Sequence, residues 1–353
     1  MGFLRLLLFP FCLIYGLITW IRNKLFDWGI LPPASFDIPI IGLGNLSTGG
    51  TGKTPHVEYL VRLLKDRYQI AVLSRGYKRK TRGYMIAEKN STAREVGDEP
   101  VQISRKFPDI LVVVSESRKK GIKRILKEHP EVNLIIMDDA FQHRYVKPGL
   151  NLLLTGYYKP FFRNYIMPCG NLREYKRGAM RADALVVTKT PTVFSPLDRR
   201  FFLRNLRPYY DKPNIFFSCF TYKDWHPIDE RTPEIKDPDI KTIFLFTGIA
   251  NTIALEEHLK RKCEELVVNK FPDHYQFKST DLNRLRRQYN EKYSRSKIII
   301  VTEKDAMRLQ HPKLKETLKD LPVYYIPVEV GFNDDDREKF EKLVFDYLSG
   351  FKN

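Results

Sequence analysis

The sequence predicts an α/β fold of two α/β lobes behind an apolar N-terminal helix. Three observations carry this. A glycine-rich stretch, Gly44 to Pro55, directly follows the apolar run Ile40 to Leu43. Strand-like apolar runs then alternate with amphipathic helical patterns, as a parallel sheet with crossover helices requires. An uncharged run, Leu6 to Ile21, leads the chain, with Arg5 before it and Arg22 and Lys24 after.

At 353 residues there is room for two compact domains, and 43% hydrophobic with 29% charged residues describes an ordinary globular protein. Cys12, Cys169, Cys219 and Cys263 lack paired metal spacing, which predicts a reducing compartment, no disulfide frame and no zinc. The excess of 60 basic over 42 acidic residues leaves a net charge of +18. Such a charge points to an anionic partner, nucleic acid or a membrane surface, or else to a generally basic exterior.

The leading run weighs towards the membrane. Its roughly 16 apolar residues fall short of the ~20 that a bilayer span needs. No small-residue cleavage site follows it; Trp20, Arg22, Asn23, Lys24, Phe26 and Trp28 follow instead, an interfacial pattern. A buried core helix is the alternative. Residues 1–36 are therefore expected to be a retained membrane-associated helix and its lead-in, peripheral or monotopic at the membrane's inner face with the body of the protein in the cytosol. Its removal should impair membrane association and leave nucleotide binding largely intact.

Ile40–Leu43 reads as the first strand, with Pro39 placed where a missing N–H is tolerated. The turn Ser47-Thr48-Gly49-Gly50-Thr51-Gly52-Lys53-Thr54 can curl backbone N–H groups around phosphates. Lys53 can reach the β- and γ-phosphates and Thr54 can place its hydroxyl on Mg²⁺. Pro55 suits a first helical turn, and Val57, Leu60, Val61, Leu63 and Leu64 give the helix one apolar face. The first lobe thus reads as a P-loop NTPase-like parallel sheet binding ATP with Mg²⁺. Ser47 departs from the strict pattern, which places Gly or Ala there.

Further strands are expected at Ile70–Leu73, Ile110–Val114, Leu134–Met137, Leu152–Leu154 and Ala184–Val187, with helices at Lys119–Glu128 and Leu197–Leu206. After Pro213 a second series begins: strands at Ile215–Phe220, Thr242–Phe246, Glu265–Val268, Ile298–Val301 and Tyr324–Val328, with helices at Ile253–Glu264, Thr280–Glu291 and Arg337–Leu348. The expected division is a nucleotide-binding domain over 37–213 and a smaller α/β domain over 214–353 that closes on the site.

Asp138 and Asp139 end a buried-type strand, where phosphate-loop proteins place an acid for Mg²⁺; a paired Asp can also simply cap a turn. Asp98, in Gly97-Asp98-Glu99-Pro100, is either a helix cap or a proton acceptor presented to the cleft. His274, in Phe271-Pro272-Asp273-His274-Tyr275, is either structural or a partner that shares a proton with Asp98. Thr188-Lys189-Thr190-Pro191 resembles a base-reading loop whose guanine-selecting Asp is replaced by Pro191, which favours adenine.

Together these stretches resemble the tetraacyldisaccharide 4′-kinase family of lipid A synthesis over nearly the whole chain. The resemblance runs through Gly44–Pro55, Ser74–Tyr77, Gly97–Pro100, Asp138–His143, Asn171–Glu174, Arg181–Asp183, Phe271–His274 and Thr302–Ala306. Ala140 stands where the family usually has Gly, and Arg144 to Gly149 departs from its common form. The resemblance implies transfer of the ATP γ-phosphate to the 4′-hydroxyl of an acylated glucosamine disaccharide 1-phosphate. It also implies that Asp98 and His274 act as the base, that Asp138, Asp139 and Glu174 serve Mg²⁺–ATP, and that the leading helix sits in the inner membrane. Lys53 is the charge-neutralising catalytic residue, and Arg75, Tyr77 and Arg118 are candidate contacts to the sugar or its phosphate. The expected protein is a monomer that binds inner-membrane lipids and no nucleic acid.

Two other classes compete. A membrane-recruited partitioning ATPase would carry an extra lysine where Thr48 stands. A nucleic-acid-dependent NTPase rests on charge alone, without a binding module, and leaves the apolar N-terminus unexplained.

Overall fold

The computed structural model describes residues 2–235, 239–273, 275–294 and 296–351, with residues 2–7 described by backbone alone. The first lobe is built from α1 (Gly2–Asp27), β1 (Ile40–Asn45), α2 (Lys53–Leu64), β2 (Ile70–Ser74), β3 (Met85–Ile86), α3 (Ala93–Val96) and α4 (Asp98–Lys106). It continues through β4 (Leu111–Val114), α5 (Arg118–Glu128), β5 (Leu134–Met137), β6 (Leu150–Gly156), β7 (Ala184–Thr190), α6 (Pro196–Leu206) and β8 (Ile215–Tyr222). β9 (His226–Pro227), β10 (Thr242–Thr247), α7 (Ile253–Leu259), β11 (Glu265–Lys270) and α8 (Ser279–Glu291) follow. The chain ends with β12 (Lys297–Thr302), α9 (Glu303–Leu309), α10 (Pro312–Leu318), β13 (Val323–Ile326), β14 (Val328–Phe332) and α11 (Asp336–Ser349).

Among the described residues the first sheet runs β14-β8-β7-β6-β1-β5-β2-β4-β3, parallel except at its edge strands β3 and β14. β1 and β2 are buried at every position, as strands covered on both faces must be. Ile41, Leu43, Val57, Leu60, Val61, Phe340, Val344 and Leu348 share one core, which puts α2 and α11 on one face. Ile40, Leu73, Ile122, Ile125 and Ile135 form the core beneath α5 on the other. The second sheet, β11-β10-β12-β13-β9, is parallel except at β9.

Sheet membership differs from the expected division at residue 213. The expected strand Ile215–Phe220, assigned by order to the second series, is part of β8, which pairs with β7 in the first sheet. The expected strand Tyr324–Val328 is two strands: β13 stays in the second sheet, and β14 returns to pair antiparallel with β8. The first lobe is therefore discontinuous. A buried carboxylate fixes the return: Asp336 accepts from the Phe217 backbone N–H at 2.8 Å and from Arg199 at 2.6 Å. Tyr347 of α11 closes it, accepting from Ile40 N–H at 2.9 Å.

α1 is two-faced. Cys12 and Phe26 are buried, and a Cβ on Gly16 would overlap the Tyr175 hydroxyl, so this face lies tight against the body. Phe9, Phe11, Leu13, Ile14, Leu17, Ile18, Trp20 and Ile21 are exposed on the rest. No helix among the described residues is long and apolar enough to cross a membrane. The expectation of unpaired cysteines is corrected here. Cys12 and Cys169 form a disulfide, Cα atoms 6.1 Å apart, between α1 and the segment behind the phosphate loop. They stand 157 residues apart in the chain, and only the packing of α1 brings them together.

Candidate active site

β1 lies between β5 and β6, at the point where strand order reverses, and ligands of open parallel sheets bind beyond the carboxyl ends at such a point. The glycine-rich turn leaves β1 there. Gly44 admits no side chain, because its Cβ would lie 2.7 Å from the Phe141 backbone nitrogen. Gly52 takes φ +84°, which starts α2 with its N–H groups turned into the loop. Ser47 is accommodated because the loop begins extended: it bridges Leu172, Thr48 N–H donates to Asn171 O at 2.7 Å, and Arg173 N–H donates to Leu46 O at 2.8 Å. The crest is held from below by Asn45, which donates to Thr51 Oγ1 at 2.7 Å, and by Thr188 Oγ1, which donates to Thr51 O at 2.7 Å.

His56, in the first turns of α2, has Nδ1 2.8 Å from Gly52 O and Nε2 3.0 Å from Ser218 Oγ. A carbonyl can only accept, so Nδ1 carries the proton and Nε2 accepts from the serine. Burial pushes its pKa down to about 4, so it stays neutral. Lys189, at φ +60°, reaches beside Gly50 with its ammonium 5.4 Å from the Phe220 ring centroid; burial pushes it down to about 8.

Across the loop, Lys53 Nζ lies 3.2 Å from Asp139 Oδ1. Asp139 also accepts from Arg173 Nη1 at 2.9 Å. Burial opposes ionisation there, yet Lys53 and Arg173 hold the carboxyl well below the usual carboxylate range. Asp138 behaves oppositely: burial, opposed by Lys53 and aided by Asp139, raises it to about 6. Its Oδ1 is buried without a hydrogen-bond partner among the described residues. An orphaned carboxylate oxygen beside Asp139, with Thr54 following Lys53, fits a hard divalent cation such as Mg²⁺.

Glu174 is placed apart from this pair. It accepts from Asn23 at 2.7 Å, from Gln142 at 3.0 Å and from Arg181 at 2.9 Å. It reaches Asp139 through Gln142, which accepts from Arg173 at 3.2 Å. Among the described residues no three His, Cys, Asp or Glu side chains converge as a metal cluster. Arg75 and Tyr77 are exposed beyond β2. Arg118 is not: it is 2% exposed, and its guanidinium donates to Ser115 O at 2.6 Å and Asp138 O at 2.9 Å. That geometry braces the strand end with Nη1 and Nη2. Asp98 begins α4, buried, and is ion-paired to Arg308. His274 lies outside the described residues.

Sequence reasoning assigned no role to Gln142, Arg173, His56 or Arg308. The first two lay inside the stretches that carry the family resemblance; a buried histidine four residues after a phosphate-loop glycine was the available signal for the third.

The model of the tetraacyldisaccharide-1-phosphate 4′-kinase family matches residues 4–348. The tetraacyldisaccharide 4′-kinase of Bacteroides thetaiotaomicron is 42% identical, covering 97% of this chain and 92% of that protein. The enzyme of the same name from Flavobacterium psychrophilum is 42% identical, covering 99% and 98%. The crystal structure of LpxK from Aquifex aeolicus in complex with ATP superposes with a TM-score of 0.71 at 31% identity, covering 98% of this chain and 99% of that one.

Proposed function

Because the chain belongs to the tetraacyldisaccharide-1-phosphate 4′-kinase family, we propose that its cleft transfers the γ-phosphate of ATP to the 4′-hydroxyl of a tetraacylated disaccharide 1-phosphate. The protein is an ATP-dependent kinase of lipid A biosynthesis. One observation supports the assignment of the site above others: Lys53 and the orphaned carboxylate of Asp138 face the same phosphate loop at the switch point of the sheet.

In this reading the loop N–H groups and Lys53 hold the phosphates in line with the acceptor. The 4′-oxygen forms a bond to the γ-phosphorus as the bond to the bridging β,γ-oxygen breaks, and ADP departs with that electron pair. The hydroxyl proton passes to Asp98, with His274 as its partner. Thr54, Asp138 and Asp139 would hold Mg²⁺, which supplies charge neutralisation on the phosphate oxygens. Positioning and electrostatics account for most of such a transfer, because its transition state is loose. Lys53 and Arg173 keep Asp139 ionised, and Arg118 fixes the Asp138 backbone. Arg75 and Tyr77 are left as the candidate contacts to the sugar or its 1-phosphate.

The exposed apolar face of α1 supports seating at the cytoplasmic face of the inner membrane, where an acylated acceptor is held. The basic surface supports it too, each Lys or Arg near anionic lipid contributing roughly 1 kcal/mol. Incubation of the purified chain with labelled ATP, Mg²⁺ and the monophosphorylated disaccharide in mixed micelles tests the proposal. A labelled bisphosphorylated glycolipid is expected; ATP hydrolysis without it would return the reading to a partitioning ATPase.

A further inference from the structure

Asp98 is held from the other lobe. Its Oδ2 receives Arg308 Nε at 2.8 Å, and Arg308 Nη2 lies 2.8 Å from the same oxygen. Arg308 belongs to α9, and the two side chains are 1% and 7% exposed. Its remaining nitrogen, Nη1, donates to Gly248 O at 2.9 Å and to Asp305 Oδ1 at 2.8 Å. Asp305 is itself immobilised, accepting from Thr247 Oγ1 at 2.7 Å, Thr302 Oγ1 at 2.7 Å and Gly248 N–H at 3.1 Å. A rigid fork grown from the second lobe thus ends on the carboxylate that opens α4.

The neighbouring pairs run the same way. Lys304 of α9 donates to Glu99 at 2.6 Å, and Lys106 at the far end of α4 donates to Glu303 at 3.0 Å. The two helices meet antiparallel, so these contacts lie along one seam. Lysine at position 308 could not reproduce the fork: a point charge cannot address Asp98 with one edge and Gly248 and Asp305 with the other.

We propose that Arg308 is a positioning residue for phosphoryl transfer, aiming the Asp98 carboxylate at the acceptor hydroxyl when the second lobe is seated on α4. The inference rests on Asp98 as proton acceptor. A base held by a preorganised partner is worth more than a mobile one, since a misplacement of about 1 Å costs on the order of 10²-fold in rate.

The test uses the full chain, labelled ATP and the monophosphorylated lipid in micelles, with Asp98→Asn, Arg308→Ala and the double variant. Arg308→Ala should lower kcat about 10²-fold with KM for ATP changed less than about threefold, and added guanidinium should restore part of the loss. The double variant should be no slower than Asp98→Asn, because the arginine acts through that carboxylate. Losses that multiply in the double variant would overturn the inference and leave the kinase reading intact. Near-native turnover of Asp98→Asn would instead sink the base assignment beneath it. Should Arg308→Ala fail to fold, Arg308→Gln and Arg308→Lys carry the same cycle, each lowering kcat on its own and lowering it no further in the Asp98→Asn background.

Discussion

The side-chain amide of Asn23, on the helix that leads the chain, donates at 2.7 Å to the carboxylate of Glu174, beside the phosphate loop. Tyr15 donates to Arg173 O at 2.9 Å and Arg22 to Gln142 O at 2.9 Å, so the same helix touches three consecutive links of the site's network. The helix is therefore tied to the network behind the candidate site, a connection that its apolar run alone does not suggest. Asn23→Ala should raise KM for ATP by roughly tenfold, the equivalent of ~1.4 kcal/mol, close to the lower end of what one hydrogen bond to a charged group contributes. Sedimentation with vesicles should not change. Unaltered ATP kinetics would show that the contact carries no function.

The opposite face of α1 makes the complementary prediction. Leu17 and Ile21 are 55% and 44% exposed. Replacing both with Asp should abolish co-sedimentation with anionic vesicles, because the apolar face can no longer enter the interface. Phosphorylation of acceptor in detergent micelles should fall far less. Retained vesicle binding would count against the anchor.

Asp138 supplies the metal test. Its buried Oδ1 lacks a partner among the described residues, and burial raises its pKa to about 6. Asp138→Asn should weaken Mg²⁺-dependent ATP binding at least about tenfold, the usual scale for disturbing a metal site. Metal-free ATP binding, measured by calorimetry in the presence of chelator, should change little. Equal losses in both conditions would mean that Asp138 does not hold the ion.

His56 gives a pH signature in stability. Its folded pKa is lowered to about 4 from an ordinary value of 6.5. Between these values the unfolded chain binds the extra proton and the folded chain does not, so stability falls as pH drops through that window. The loss approaches about 3 kcal/mol at the acid end. His56→Asn, which can still donate to Gly52 O, should flatten this part of the urea-midpoint profile between pH 6.5 and 4. An unchanged slope would assign the acid sensitivity elsewhere.

Much of the site was readable in order along the chain because it is local. A strand, a glycine-rich turn and a helix follow one another within Ile40 to Leu64, and Asp138-Asp139 ends a strand of four buried residues. Ser47 was readable as a departure but not as a harmless one, since its tolerance comes from the bridge to Leu172. Arg118 shows the same limit of the sequence. A basic residue at a helix start looks available to a ligand until the carbonyls of Ser115 and Asp138 are seen around it.

By itself the sequence determined the periodic elements, the phosphate loop, the family and the leading apolar run, because these follow from spacing and residue type within a few turns or strands. Tertiary structure decided which sheet Ile215–Tyr222 and Val328–Phe332 join, that Cys12 meets Cys169, and that Arg308 grips Asp98 from 210 residues away. Those pairings depend on which surfaces come to lie together, and alternating apolar residues specify that a strand is buried without specifying its neighbour.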